Sequence, residues 1–129
     1  KRQIVVDYII LNRDRHGANI EVLRNARAHT LRIAPLFDHG LSLMYSCMTD
    51  EDVVAFDILE DKRCQNFIGT YSCFDNLNLI KNRKNVFSGS LKPDDKKYIF
   101  TGLENVLSDV FIDKIWNMIY ERYKIYENL

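Results

Sequence analysis

"LNRDRHGANI", residues 11–20, sets Asn, Arg, Asp, Arg, His, Gly and a second Asn between an apolar run, "IVVDYII" (4–10), and a strand-like run, "IEVL" (20–23). A polar stretch this short between two apolar ones predicts a loop anchored at both ends. Upstream, "RQIVVDYIILN" (2–12) is apolar on nearly all sides, which predicts a buried helix of about three turns. Its β-branched residues make a strand the competing reading. Gly17 breaks the loop. Downstream, "NIEVLRN" (19–25) and "HTLRIAPLF" (29–37) predict the two strands of a β-hairpin that turns at "NARA" (25–28). Pro35 stops the second strand, and "DHGLSL" (38–43) follows as an irregular loop.

Beyond the hairpin the chain turns helical. "TDEDVVAFDILE" (49–60) predicts a helix capped by Thr49, with acids in its first turn. Residues 61–90 mix aromatics with Asn, Lys, Ser and Gly and predict loops with a short element. "SLKPDDKKYIFTGLENVLSDV" (90–110) predicts one helix, with Pro93 near its first turn and Ile99, Leu103, Val106, Leu107 and Val110 on one face. "FIDKIWNMIYERYKIYENL" (111–129) predicts another, with a stripe of Ile112, Ile115, Trp116, Ile119 and Tyr123. There is no internal repeat, low-complexity tract or Pro/Gly linker, so one domain over 1–129 is expected. Its fold class is mainly α with a small β-hairpin, an α+β arrangement.

Composition narrows the classes. The chain has 129 residues, enough for one domain with a real core. Eighteen bases balance eighteen acids, so no global field points toward nucleic acid or an anionic membrane. The longest apolar runs are too short to span a bilayer, and no secretory signal is present. Cys47, Cys64 and Cys73 form no CxxC, which fits a reduced, cytoplasmic compartment. The chain begins at Lys1, without an initiator Met, and passes straight into an apolar segment, as a fragment or a processed chain would.

Asp14 and Asn19 stand five positions apart in the loop, and "FDHG" supplies Asp38-x-Gly40 further on. Both patterns match protein-kinase spacing, that of the catalytic loop and that of the metal-binding motif. Phosphoryl transfer needs positioning and charge neutralisation more than covalent help. Mg²⁺ keeps several waters and takes only one or two carboxylates beside nucleotide phosphates. An amide oxygen adds a ligand without adding repulsion, and a separate carboxylate accepts the proton of the attacking hydroxyl. Antiparallel strands lie ~5 Å apart. A hairpin between Asn19 and Asp38 therefore brings its two ends side by side.

"NRDRHGANI" followed by "LRIAPLFDHGLSL" resembles the C-terminal lobe of HipA-like kinases, bacterial Ser/Thr protein kinases often paired as toxins with a DNA-binding antitoxin. Asn12, Asp14, His16 and Asn19 fill that family's Asn-x-Asp-x-His-x-x-Asn loop, and Ala34, Pro35 and Asp38 fill its Ala-Pro-x-x-Asp stretch. The resemblance covers about residues 4–43 as the catalytic core and leaves 49–129 as a helical part. It implies Asp14 as catalytic base and His16 as an orienting or charge-stabilising residue. It implies Asn19 and Asp38 as ligands of Mg²⁺ and hence of ATP, and a protein Ser or Thr hydroxyl as substrate. Its partners would be a protein substrate, an antitoxin or a separate N-terminal lobe, with neither nucleic acid nor membrane bound directly. "DRHGANI" is also similar to the loop of phosphatidylinositol 3- and 4-kinases, the runner-up within kinases. A non-catalytic interaction module is the alternative from another class. The five glycines, at 17, 40, 69, 89 and 102, make no G-x-G-x-x-G, and no phosphate-covering lobe with its lysine is legible. No kinase activity is expected from residues 1–129 alone.

Other residues carry weaker signals. Arg13 and Arg15 flank Asp14 and read either as phosphate-steering or as solvated. His39 reads as a hydrogen-bonding spacer more readily than as a metal neighbour. His16, His29 and His39 have no zinc spacing with the cysteines. Cys47 reads as a buried thiol, "KNRK" (81–84) as a solvated basic loop, and Trp116, Tyr120, Tyr123 and Tyr126 mostly as core.

Overall fold

The computed structural model describes residues 1–80 and 86–129; the "KNRK" stretch lies outside them. The regular structure is mainly helical with two small sheets, an α+β architecture. Helix α1 spans Arg2–Ile9, α2 Asp50–Ala55, α3 Lys96–Ile99 and α4 Asp109–Glu127. Strands β2 (Val22–Asn25) and β3 (Thr30–Ile33) form the hairpin. Strands β1 (Asp14–Arg15) and β4 (Gln65–Asn66) form a short parallel pair.

α1 is a helix rather than a strand, and shorter than its apolar pattern predicts. It stops because Leu11 takes a left-handed conformation, φ 49°. The Leu11 N–H then reaches back to Tyr8 O at 3.2 Å and the Asn12 N–H to Asp7 O at 2.8 Å. These are the two bonds of a Schellman ending, normally built on glycine. Leu11 is fully buried, and its packing offsets the ~1–2 kcal/mol that a left-handed L-residue costs. The turn folds residues 12–15 back beneath the helix they have just left.

The hairpin lies where the sequence puts it, in register Val22↔Ile33, Leu23↔Arg32, Arg24↔Leu31 and Asn25↔Thr30. Asn25 Oδ1 accepts from the N–H groups of Arg27 and Ala28 and closes the turn. All eight strand residues are exposed, so main-chain pairing rather than burial holds the strands.

Thr49 caps α2 as predicted. Its hydroxyl accepts from Asp52 N–H while the Asp52 carboxylate accepts from Thr49 N–H, a reciprocal capping box. The helix ends at Ala55, five residues short of the predicted span. The Met48 N–H, with Thr49 N–H beside it, holds the Asp52 carboxyl below the usual carboxylate range. A depressed carboxylate contributes stability above its unfolded pKa and loses it as pH falls through the folded one. Thr49→Ala is expected to cost ~1 kcal/mol in urea unfolding. Asp52→Asn should be less stable than the native chain at pH 7, with the gap closing below about pH 4.

The predicted single helix over 90–110 is not formed. Pro93–Asp95 makes a 3₁₀ turn, α3 covers only Lys96–Ile99, and Gly102 turns the chain with φ 89°. Ser108 then caps a new helix by accepting from Phe111 N–H at 3.3 Å. Most of the expected apolar face stays in water: Val106 is 76 % exposed and Ile99 47 %, while Leu107 alone of the five packs against the core and Phe100, off that face, is buried. A local period of 3.6 gave way to a glycine turn and a stronger cap downstream.

α4 matches its prediction. Its first half buries Ile112, Ile115, Trp116 and Met118 in a cluster with Leu11, Met44, Val53 and Phe100. Its second half buries Tyr123 and Tyr126 in another cluster with Val5, Tyr8, Cys64, Cys73, Leu77 and Ile80. Tyr120 stacks on Trp116, with ring centroids 5.4 Å apart. α4 packs against both α1 and α2 and so joins the two clusters. Cys47 is half-buried at the edge of the first, and burial pushes its thiol pKa up. Among the described residues, no helix is long and apolar enough to cross a membrane.

Candidate functional site

Residues 12–19 are held from three sides. Asn12 is buried and donates through Nδ2 to Asp7 Oδ1 at 3.0 Å, while its Oδ1 accepts from Asp14 N–H at 3.1 Å. β1 pairs with β4, and the Gln65 N–H donates to Arg13 O at 2.8 Å. Leu41 O accepts from Arg13 N–H at 3.0 Å. The loop is therefore clamped to α1, to β4 and to the segment after the hairpin before any side-chain chemistry begins.

Asp14 lines an open cleft of about 460 Å³ together with Arg13, Tyr45, Arg63, Cys64 and Tyr71. Its Oδ1 lies 3.5 Å from His16 Nε2. His16 Nδ1 accepts from Ala18 N–H at 3.2 Å, which puts the proton of a neutral ring on Nε2, on the Asp14 side. Asn19 ends a 3₁₀ turn, Gly17–Asn19, and is buried. Its Nδ2 donates to Asp14 O at 2.7 Å, which orients the amide and leaves Oδ1 with no hydrogen-bond partner among the described residues. Asp38 sits beyond β3 with a left-handed backbone, φ 53°, and its side chain is exposed.

Arg15 ties these pieces together. It is 1 % exposed, so neither the phosphate-steering nor the solvated reading of this residue holds. Its guanidinium pairs with Asp7 at 3.1 Å. Nη1 donates to Asn19 O at 3.3 Å and to Phe37 O at 2.6 Å, and Nη2 donates to His39 Nδ1 at 3.0 Å. One guanidinium nitrogen thus grips the backbone of Asn19 and of the residue before Asp38. His39 is a hydrogen-bonding partner, as its neutral acceptor nitrogen requires. Arg13 lies on the cleft wall, donating to Arg63 O at 3.1 Å and to Tyr45 Oη at 3.1 Å.

Asp7 and the buried role of Arg15 escape sequence reasoning, because no helical period relates position 7 to position 15. One signal was present: Asp7 is the lone charge in "IVVDYII", and a buried acid needs a partner. Among the described residues, no group of three or more His, Cys, Asp and Glu side chains is placed to hold a metal ion. No protein-family model, no curated protein and no solved structure matches the chain.

Proposed function

We propose that this chain is the catalytic-loop lobe of a HipA-like kinase, whose parent activity is ATP- and Mg²⁺-dependent phosphorylation of a protein Ser or Thr hydroxyl. The observation that carries the reading is the shared grip of Arg15 on Asn19 O and Phe37 O. It joins the two stretches that the chemistry needs side by side, although 17 residues, the exposed hairpin among them, lie between Asn19 and Phe37. Asn19 Oδ1 and the Asp38 carboxylate would hold the cation. When bound, that ion neutralises charge on the nucleotide phosphates. Asp14 accepts the proton of a hydroxyl entering the cleft, and His16 Nε2–H orients the Asp14 carboxylate for that task. Arg13 and Arg63 place positive charge on the cleft wall, where an anionic leaving group or substrate would lie.

The test is calorimetric titration of the full natural chain with Mg²⁺–ATP. Asp38→Ala is expected to weaken binding by at least ~10-fold. Asp14→Asn should bind nucleotide normally but lose phosphoryl transfer by about 100-fold or more. Unchanged binding by Asp38→Ala removes the metal assignment, and unchanged turnover by Asp14→Asn removes the base. The second reading, a lobe that binds a protein partner without turning nucleotide over, is favoured by the apolar hairpin face of Val22, Leu31 and Ile33, each at least 60 % exposed. It prevails if the native chain binds no Mg²⁺–ATP at all.

A further inference from the structure

Cys64 and Cys73 are each 2 % exposed, and their sulfurs lie 3.3 Å apart. They flank the isolated bridge between Arg63 and Ser72, within which Cys64 N–H donates to Tyr71 O at 2.8 Å. The Cys73 S–H points at Cys64 Sγ, and Asn66 Nδ2 donates to the same sulfur at 2.9 Å. The Cys73 thiol, with Asn66 beside it, draws the Cys64 pKa below the ordinary thiol value although burial opposes them. The same bond and burial push Cys73 up. The two sulfurs differ in their contacts: Cys64 Sγ accepts from Cys73 and Asn66 and lies 3.1 Å from Tyr71 O, whereas Cys73 only donates. Access is divided too. Cys64 lies on the wall of the Asp14 cleft, and Cys73 on the wall of a separate apolar cavity of about 200 Å³ between α1 and the segment 66–68.

We propose that Cys64 and Cys73 are a redox modification site, closing to a reversible intramolecular disulfide when a peroxide or a small disulfide enters the Asp14 cleft. With hydrogen peroxide, the Cys64 thiolate attacks one oxygen, the O–O bond breaks, and the leaving hydroxide takes a proton to become water. Cys73 then attacks the sulfenic sulfur of Cys64, the S–S bond forms, and the sulfenic oxygen leaves as a second water. Two thiols give up two electrons and two protons, and one peroxide becomes two waters. With a small disulfide as oxidant, two molecules of its thiol are released instead.

An S–S bond is about 2.05 Å long, so the sulfurs must close by more than 1 Å. That movement falls on the candidate site. β4 directly follows Cys64 and pairs with Asp14–Arg15, and Cys73 Sγ also lies 3.4 Å from Asn12 O. Oxidation removes the hydrogen from both sulfurs and shifts the strand on which Asp14 is paired. Cys47 belongs to the other hydrophobic cluster and takes no part.

The chain treated with a small excess of hydrogen peroxide, and separately with oxidised glutathione, is denatured and its thiols counted with a chromogenic disulfide. The count is expected to fall from three to one and to return to three after dithiothreitol. A peptide map should show Cys64 joined to Cys73. Cys47→Ser keeps the core pair intact and should fall from two thiols to none. Cys73→Ser, if folded, should carry a single glutathione on Cys64. Three thiols persisting under both oxidants overturns the proposal, and so does a bridge to Cys47 or a Cys64 oxidised without joining Cys73.

Discussion

Asp7→Ala is expected to destabilise the chain by ~3–5 kcal/mol, a large part of the ~5–15 kcal/mol that holds a domain of this size together. The cause is not the loss of a favourable pair. Both side chains lie out of water, Asp7 4 % and Arg15 1 % exposed, and taking the carboxylate away leaves a guanidinium buried without its counter-charge. Arg15→Met strands the Asp7 carboxylate instead, with Asn12 as its remaining donor, and should cost a similar amount. The double variant Asp7→Leu/Arg15→Met removes both charges together and should regain much of the loss, because an apolar pair of like volume needs no desolvation. A double-mutant cycle in urea measures this directly. The double variant also separates stability from function. It refolds the core but cannot hold Asn19 O and Phe37 O, so the Mg²⁺–nucleotide binding proposed for the native chain should be lost even where folding returns. A cost for Asp7→Ala below ~1 kcal/mol would show that water reaches the pair and that Arg15 is not the fastening described above.

The second large effect is expected at Arg122, on α4. This guanidinium is 1 % exposed, and the carboxylates of Asp57 and Asp61 lie near enough to favour its charge. Its three nitrogens donate to three carbonyls: Nε to Ile58 O at 2.8 Å, Nη1 to Tyr8 O at 3.2 Å and Nη2 to Glu60 O at 2.7 Å. It also lies over the Tyr8 ring, 5.2 Å from its centroid. Tyr8 O belongs to the last turn of α1 and already accepts from Leu11 N–H, so Arg122 supplies its second, charged donor. Arg122 therefore joins the end of α1 and the segment after α2 to α4 through three backbone carbonyls and the Tyr8 ring. Arg122→Met keeps the apolar stem but leaves three acceptors without their charged donor. It should cost ~3 kcal/mol or more, and lower the melting temperature by on the order of 10 °C. Arg122→Lys should recover only part, because a single ammonium cannot span three carbonyls set around a planar fork. Equal stability of the Lys variant and the native chain would mean that charge, not the fork, is what the site needs.

Several elements were legible from residues alone because their signals are local. The Asn25 turn, the Thr49 cap, the apolar stripe of α4 and the order of the "NRDRHGAN" and "APLFDHG" segments all act within a few positions. The 90–110 segment shows the limit of that reasoning. Its stripe had a helical period, but a helix face is stabilised by what covers it, and nothing covers Val106. Gly102 and the Ser108 cap then decided the backbone. The capped helix at 49–60 was shortened for a related reason: beyond Ala55 the backbone turns extended at Phe56, and Arg122, from a distant helix, claims the carbonyls of Ile58 and Glu60.

By itself the sequence determined which residues could do chemistry, their spacing along the chain and the elements that carry them. Spacing is a covalent fact, and caps, turns and periodicity act over distances shorter than a turn of helix. Only the tertiary structure decided that Asp7 answers Arg15, that Arg15 joins Asn19 to the Asp38 loop, and that Cys64 meets Cys73. Those contacts exist because buried charges, carbonyls and thiols must find partners wherever the folded chain brings them, and no period in the sequence encodes where that is.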